Sequence, residues 1–356
     1  MIRIKRRKSL SNTFQFLFSF LSIIAALVFG AFFLYIGGVS PLTAYSEMIR
    51  GALGSFYNLS EILVKMTPLL LTGLSVGLAF KLRFWNIGAE GQLVMGGIGA
   101  SAIALLIAPQ LSYLPRSLMI VLVIIAGMLF GGVWALIPAL LKVYFRVNEV
   151  IVTLMLNYIA IFFLQYLFNG PWKDPKGWGF PGSAIFPENA WMPRLSDTRV
   201  HMTLLIGVIA AVLIYWILRK TKWGYEIQVI GQNPRAGEYA GINSKYKLLQ
   251  AMVFCGFLSG LAGVGEVTGV SHRLFEGLAV GYGFTATTVA WLARLNPLAM
   301  ILVSFLLGVL FVGGEQLQVA MGLPLGTVLI FEGLCLFFIL GSDFFTRYTI
   351  EFKVKD

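Results

Sequence analysis

The amino-acid sequence predicts an all-α, polytopic integral membrane protein with about ten transmembrane helices, some of them broken or re-entrant. The chain of 356 residues is 58% hydrophobic and only 12% charged, and its mean hydropathy is +0.83. Soluble globular proteins carry about 25% charged residues, and a soluble fold cannot hide this much apolar surface. A membrane therefore has to surround most of the chain.

Ten apolar stretches are candidates for spans, because a helix needs about 20 residues to cross a bilayer. They lie at residues 13–36, 60–80, 87–108, 117–141, 148–169, 201–218, 249–270, 278–293, 297–313 and 324–341. Several are short or interrupted by glycine. The first follows a basic run at residues 3–8 and no small-residue cleavage site comes after it, so we expect it to remain as an uncleaved span.

An even number of spans puts both termini on one side of the membrane, and the charges indicate which side. With this topology, 19 of the 27 Lys and Arg residues fall on the side of the termini, as expected for the cytoplasmic face. The net charge of +11 is then a membrane feature, and no nucleic-acid partner is predicted. The expected parts are a cytoplasmic basic segment 1–12, a transmembrane domain 13–341 with an external loop 170–200 and a cytoplasmic loop 219–248, and a cytoplasmic tail 342–356.

Catalytic and metal-binding patterns are not found in the sequence. No phosphate-binding loop of the form GxxxxGK[ST] occurs, so the chain is not expected to hydrolyse ATP itself, and neither a metal nor a cofactor is predicted to bind to it. His201 and His272 are interpreted as plain interfacial histidines, and Cys255 and Cys335 as buried free thiols.

Polar side chains at membrane depth are the functional candidates, since a charge at the centre of a span costs on the order of 3 kcal/mol. The residues assigned to a translocation path are Asn86, Glu90, Gln92, Asn157, Phe284, Thr287, Thr288 and Trp291. Further polar residues at this depth are Asn148, Glu149, Glu266, Glu315, Gln316, Gln318 and Glu332. For the stretch FWNIGAEGQ, residues 84–92, a structural role is favoured over direct solute contact, because a carboxylate can accept N–H bonds where a helix starts.

Glycine and proline predict local features of several segments. Glycines 256, 260, 263 and 265 suit close helix packing, while glycines 281 and 283 predict a broken helix of the kind that lines transporter sites. The stretch VGGEQLQ, residues 312–318, is interpreted either as a hydrated turn or as part of the path. Residues 41–55, which begin with Pro41, predict a short interfacial helix.

The most specific segment is NPRAGEYAGI in the loop 219–248. Asn233 suits a helix N-cap and Pro234 the first helical position, and Gly241 suits the C-terminal end. A helix of about two turns outside the membrane would present Arg235, Glu238 and Tyr239, residue types found at protein-docking hot spots. The alternative is a solvated connector.

Two stretches together, FWNIGAEGQLVMGG and GQNPRAGEYAGI followed by SGLAGVGEVTG, resemble the permease family of bacterial ABC importers for nucleosides and simple sugars. The likeness runs from about residue 60 to 341, and the NIGAEGQ form is most similar to the nucleoside, guanosine-type branch. The resemblance implies a coupling helix that docks into the ATPase subunit, formed by Asn233, Pro234, Arg235, Ala236, Glu238, Tyr239, Ala240 and Gly241. The chain departs from the family pattern at Gly237, usually alanine, and at Thr287, Thr288 and Ala293.

The same resemblance implies the partners and the place of work. They are ABC ATPase subunits that bind ATP and Mg, a second homologous permease in a heterodimer, and a periplasmic or lipid-anchored binding protein, all at the bacterial inner membrane. The expected solute is a nucleoside, with a simple sugar or riboflavin as alternatives. Two other classes stay open: an ion-coupled secondary transporter, which would use Glu90, Glu266 or Glu332, and a non-transporting membrane scaffold.

Overall fold

The computed structural model describes residues 2–6, 12–111, 113–177, 179 and 181–352. Side chains at positions 2–6, 12–23, 325, 332, 335, 339–340 and 342–352 lie outside this description, and so do the predictions for Glu332 and Cys335. The described part of the chain forms thirteen α-helices and one pair of short strands. The helices are α1 Asn12–Ile36, α2 Pro41–Leu53, α3 Phe56–Lys81, α4 Ala89–Ala102, α5 Arg116–Phe145, α6 Glu149–Asn169, α7 Met202–Lys220, α8 Lys222–Gln232, α9 Pro234–Tyr239, α10 Ser244–Gly265, α11 Tyr282–Leu292, α12 Pro297–Met321 and α13 Leu325–Arg347.

Seven helices in the described residues are long and apolar enough to cross a membrane, and the number rises to eight if a bent pair counts as one span. The seven are α3, α5, α6, α7, α12, and α4 and α10 with the π-helical turns that extend them to Ile107 and Val270. The all-α membrane fold is confirmed, but the predicted count of ten is only approximate. The stretch 278–293 yields the 11-residue helix α11, whose length of about 16 Å is half the thickness of a bilayer core, about 30 Å.

The chain divides into two compact units, and the larger one covers Leu63–Gly308. In this unit α10 packs closely against α4 and α5. Gly260 of α10 shows why: a Cβ there would lie 3.3 Å from the Cα of Gly131 and would overlap the backbone oxygen of Gly127 on α5. The packing role predicted for the glycines of this helix therefore fits the structure at Gly260.

The smaller unit combines Met1–Ile62 with Val309–Asp356. Here α1 packs against α13, and the axes of Ile24–Ile36 and Pro41–Leu53 differ by 114°. The helix predicted to start at Pro41 is present as α2. The stretch VGGEQLQ continues helix α12, so its interpretation as a turn is wrong. Glycines 313 and 314 do not interrupt this helix, because the residues before them are strongly apolar.

A pair of antiparallel strands, β1 Ile2–Arg6 and β2 Tyr348–Phe352, joins the two ends of the chain. Arg3 is paired in register with Glu351. The charge of segment 1–12 predicts only a basic segment, because five residues are too few for an alternation of apolar and polar side chains to indicate a strand.

Candidate functional site

Glu90 connects helix α4 to the start of helix α11. Its Oε1 accepts a hydrogen bond of 2.8 Å from the backbone N–H of Gly281, and its Oε2 accepts one of 2.6 Å from that of Gly283. The side chain is 1% exposed. The first N–H groups of a helix have no partner within the helix, and a carboxylate placed there satisfies them and complements the helix dipole. Glu90 therefore caps α11 from another helix.

The start of α11 is shaped for this contact. Gly281 has φ of 95°, in the left-handed region that favours glycine. At Gly283 an added Cβ would overlap the backbone of Glu90. The break predicted from these two glycines is thus the place where α4 and the half-length helix α11 come into direct backbone contact.

Asn157 of α6 binds the backbone at the start of α4. Its Oδ1 accepts from the N–H of Gly91 at 2.8 Å, and its Nδ2 donates to the carbonyl oxygen of Ile87 at 2.9 Å. The residue is 1% exposed. Because both bonds go to backbone groups that no helix satisfies, Asn157 fixes the irregular chain just before α4.

Asn86 and Gln92 complete this group of buried polar side chains, which we call the α4 clamp (Asn86, Glu90, Gln92, Asn157). Nε2 of Gln92 donates to Oδ1 of Asn86 at 3.0 Å, and Nδ2 of Asn86 donates to Oε1 of Gln92 at 3.3 Å. Oδ1 of Asn86 also accepts from the N–H of Gly88. The polar groups of the clamp bind mainly backbone groups, in agreement with the structural role favoured by the sequence. The assignment of these four residues to the translocation path stays a prediction.

The remaining path candidates lie on α11. Phe284 is 40% exposed, while Thr288 is buried and Thr287 is half-buried. Trp291 belongs to an aromatic cluster with Phe80 and Trp85, with ring centroids 5.1 to 6.0 Å apart.

This aromatic cluster borders a cavity of about 260 Å³ that Arg83 and Leu295 also line. Sequence reasoning included Trp291 but missed Phe80, Arg83 and Trp85. Trp85 stood inside the quoted motif, directly before Asn86, and a tryptophan beside a span end was a usable signal. We call these three rings with Arg83 the aromatic pocket.

The loop predicted to contain a coupling helix folds as α8 and α9, outside the long apolar helices. Oδ1 of Asn233 accepts from the N–H groups of Arg235 and Ala236 at 3.1 and 3.4 Å, which is the N-cap expected there. Tyr239 is 94% exposed, and Arg235 and Glu238 are exposed beside it. Gly241 follows with φ of 72°, so the chain leaves the helix in the left-handed conformation typical of a C-terminal glycine.

Two polar contacts attach α8 and α9 to the spans. Lys247 at the start of α10 pairs with Glu226 of α8 at 2.7 Å, with both side chains largely buried. Nη2 of Arg83 donates to the carbonyl oxygen of Gln232 at 3.1 Å, one residue before the Asn233 cap. Arg83 thus touches both the aromatic pocket and the segment that carries α9.

Residues 183–192, which belong to the loop predicted to be external, pack onto the end of α10. The N–H groups of Ser183, Phe186 and Met192 donate to the carbonyl oxygens of Leu274, His272 and Thr268 respectively, at 2.8 to 3.0 Å. The ring of Trp191 stacks on that of His272 with centroids 4.1 Å apart. These bonds make the segment an ordered cover, which we call the α10 cover.

The two histidines of the chain border this cover: His201 follows it in the sequence, and His272 lies in the stretch after α10 that it packs against. His201 is 1% exposed, with its ring against Gly269, and burial lowers its pKa to about 4. Burial also lowers the pKa of His272, and nearby Arg194 and Arg199 lower it further. Both rings are therefore packed and neutral at pH 7, and their interpretation as plain interfacial histidines stays a prediction.

Comparison with known proteins identifies the family. The model of the family described as branched-chain amino acid transport system / permease component matches residues 58–340. The chain belongs to this permease family. It is therefore a multi-pass membrane permease component of an ABC transporter, a channel-forming subunit and not itself an ATPase, and the family implies ATPase and solute-binding partners.

Three relatives align with almost the whole permease. The glucose ABC transporter permease protein TsgB13 of Haloferax volcanii is 35% identical over 93% of this chain and 88% of its own. The nucleoside ABC transporter permease protein NupB of Lactococcus lactis is 33% identical over 92% of both chains. The guanosine ABC transporter permease protein NupP of Bacillus subtilis is 31% identical over 93% of both chains.

Proposed function

We propose that this permease forms half of the translocation path of an ATP-driven importer for nucleosides. The observation that carries the proposal is helix α9, which is exposed at Arg235, Glu238 and Tyr239 and attached to the spans on both sides. A solvated connector would not be expected to form a capped helix that exposes 94% of a tyrosine. An exposed aromatic and an arginine side by side are instead the anchors that protein interfaces use.

The contacts of α8 and α9 give a route for coupling. When ATP closes the partner ATPases, a push on α9 reaches α10 through Glu226 and Lys247, and reaches the chain before α4 through Gln232 and Arg83. The α4 clamp then links that chain to α6 and α11. A movement of the exposed helix α9 is in this way transmitted to α10, to the chain before α4, to α6 and to α11.

A nucleoside is supported as the solute by two relatives and by the aromatic pocket. NupB and NupP are named for nucleoside and guanosine transport. Nucleobases stack on aromatic side chains, and an arginine can donate two bonds to the O6 and N7 edge of guanine. Phe80, Trp85, Trp291 and Arg83 offer both kinds of contact.

A simple sugar is the second candidate, because the relative at 35% identity is named for glucose. Sugars and nucleosides both present hydroxyl groups, and Thr287 and Thr288 on α11 suit either. The distinguishing chemistry is the base, which only a nucleoside carries.

The proposal also includes the assembly. A sister permease completes the path, a binding protein delivers solute from outside, and both termini lie in the cytoplasm at the inner membrane. Three arginines lie on the side of the larger unit that carries α8 and α9: Arg83, Arg219 and Arg235. The positive-inside rule expects such basic residues on the cytoplasmic face.

Uptake measurements test the proposal. Cells that express the permease with its ATPase, sister permease and binding protein are supplied with labelled guanosine or labelled glucose. We expect guanosine to accumulate, and Arg235→Glu with Tyr239→Ala to abolish uptake while the protein remains in the membrane. The matched control is Tyr144→Ala, since Tyr144 is 64% exposed at the end of α5 and lies outside the docking segment; it should transport normally.

The possible results separate the two parts of the proposal. Glucose uptake without guanosine uptake would overturn the solute assignment and leave the coupling role standing. Equal uptake by the control and the double variant would overturn the coupling role.

A further inference from the structure

A second cavity, of about 250 Å³, lies at the ends of α3 and α7. Lys81 ends α3, Arg219 lies in the last turn of α7, and Arg294 follows α11. These three cations line the cavity together with Tyr215, Leu218, Gln228, Leu295, Asn296 and Pro297. None of the described residues that line it carries a carboxylate, so the cavity has the charge of an anion site.

Several residues that line the cavity have a defined backbone conformation or a side-chain contact. Arg294 and Leu295 both have positive φ, 49° and 57°, a conformation that non-glycine residues adopt only where the surroundings impose it. On the other side, Nε2 of Gln228 donates to the carbonyl oxygen of Leu218 at 2.5 Å. The guanidinium of Arg219 lies 4.5 Å from the centre of the Tyr215 ring, which limits its orientations. The guanidinium of Arg219 is therefore held in place by the Tyr215 ring, and the backbone turn at Arg294 and Leu295 sets where the Arg294 side chain begins.

The surface next to the cavity is apolar and belongs to a span. On α7, Leu213 and Trp216 are 52% and 56% exposed, one to two turns before Arg219. Exposed apolar side chains along a transmembrane helix face acyl chains, and tryptophan near its end sits at headgroup level. A ligand that occupied the cavity and continued along α7 would need an anionic head and an apolar tail.

We propose that this cavity binds the phosphate headgroup of an anionic phospholipid, with the acyl chains along α7. Basic pockets between transmembrane helices on the cytoplasmic side are suited to such headgroups, and arginine forms paired hydrogen bonds with phosphate oxygens. Asn296 and Gln228 supply neutral donors at the rim. The lipid would join the ends of α3 and α7 with the turn between α11 and α12, independently of which solute is transported.

Lipid titrations of the purified transporter complex test this site. The complex in detergent is titrated with phosphatidylglycerol, with phosphatidylcholine of the same chains, or with inorganic phosphate, and bound lipid is counted by native mass spectrometry together with the unfolding temperature. We expect phosphatidylglycerol to bind and raise the unfolding temperature, while phosphatidylcholine and inorganic phosphate have little effect. Arg219→Gln with Arg294→Gln should weaken phosphatidylglycerol binding about tenfold or more.

The matched control removes the same charge close by. Lys220 and Lys222 are exposed and do not line the cavity, so Lys220→Gln with Lys222→Gln should keep nearly wild-type binding. An equal loss in both double variants would overturn the proposal in favour of diffuse attraction, and a full effect of inorganic phosphate would overturn the lipid assignment. If the double glutamine variant does not assemble, Arg219→Lys with Arg294→Lys replaces it in the same titration. Wild-type affinity for phosphatidylglycerol in this double lysine variant, which lacks both guanidinium groups, would also contradict the proposal.

Discussion

Oε2 of Glu90 lies 2.6 Å from the backbone nitrogen of Gly283, although the two residues are 193 positions apart in the chain. The same carboxylate reaches Gly281. The half-length helix α11 is thus capped by a side chain of α4.

The first prediction concerns the charge of this cap. Glu90→Gln keeps one acceptor oxygen but turns an N–H group toward a backbone N–H, so we expect a loss of about 2 kcal/mol, the value of a hydrogen bond to a charged group. Glu90→Ala should lose more. The unfolding temperature of the purified complex measures both. Glu276→Gln, an exposed carboxylate close by, is the control and should leave that temperature unchanged.

The role of Glu90 as a cap also bears on ion coupling. If Glu90 were the proton or sodium site of a secondary transporter, uptake would stop when the ion gradient is collapsed while ATP is kept high. We expect uptake to continue under those conditions in the wild-type protein. Uptake that follows the gradient would contradict the ATP-driven reading.

The second prediction concerns the close approach at Gly283. Gly283→Ala forces a methyl group into the backbone of Glu90, and we expect it to destabilise the permease by about 1–3 kcal/mol through overpacking. Gly333→Ala is the control, because nothing lies within 4 Å of a Cβ at that position of α13 and alanine favours a helix. Similar unfolding temperatures for the two variants would refute the contact.

The third prediction concerns the aromatic pocket. Trp85→Leu or Trp291→Leu removes one stacking surface, and since stacking is worth about 1–3 kcal/mol per base, the guanosine concentration for half-maximal uptake should rise about tenfold. Phe162→Leu, on the exposed face of α6, should leave it unchanged. An equal change for all three variants would show that the pocket does not contact the base.

The fourth prediction concerns pH and the α10 cover. Nδ1 of His272 donates to the carbonyl oxygen of Thr268 at 2.9 Å, because that oxygen can only accept, and Nε2 accepts from Nη2 of Arg194 at 3.3 Å, because a guanidinium can only donate. A second proton on this ring would face Arg194. Since the folded protein lowers the pKa of His272, the neutral form contributes stability above the unfolded value of about 6.5, and that contribution is lost as pH falls toward the folded pKa.

Thermal unfolding measured from about pH 7.5 to about pH 5 checks this sign. The wild-type unfolding temperature should fall on acidification more steeply than that of His272→Gln, whose amide can still donate to Thr268 but does not titrate in this range. His201, whose pKa is lowered to about 4, should add the same further loss in both proteins as pH falls below about 6.5. Parallel curves would show that His272 does not hold the cover.

The sequence predicted those parts of the fold that depend on local patterns. Apolar runs located the long helices, Asn233 and Pro234 marked α9, and Gly281 marked the break before α11. What it could not predict depends on distant pairing. Nothing near Glu90 indicates that its partners are Gly281 and Gly283, and Phe80, Trp85 and Trp291 meet only because α3 and α11 end side by side. The strands β1 and β2 pair across the whole length of the chain, which no local window covers.

The long separation between Glu90 and its partners has a consequence for biosynthesis. Ribosomes add about 5–20 residues per second, so the 191 residues from Glu90 to Gly281 take roughly 10–40 s to make. During that interval α4 enters the bilayer with a carboxylate that has not met the helix it caps. Insertion of this span therefore has to tolerate a charged side chain until α11 emerges, and a chain truncated before residue 281 should be a substrate for membrane quality control.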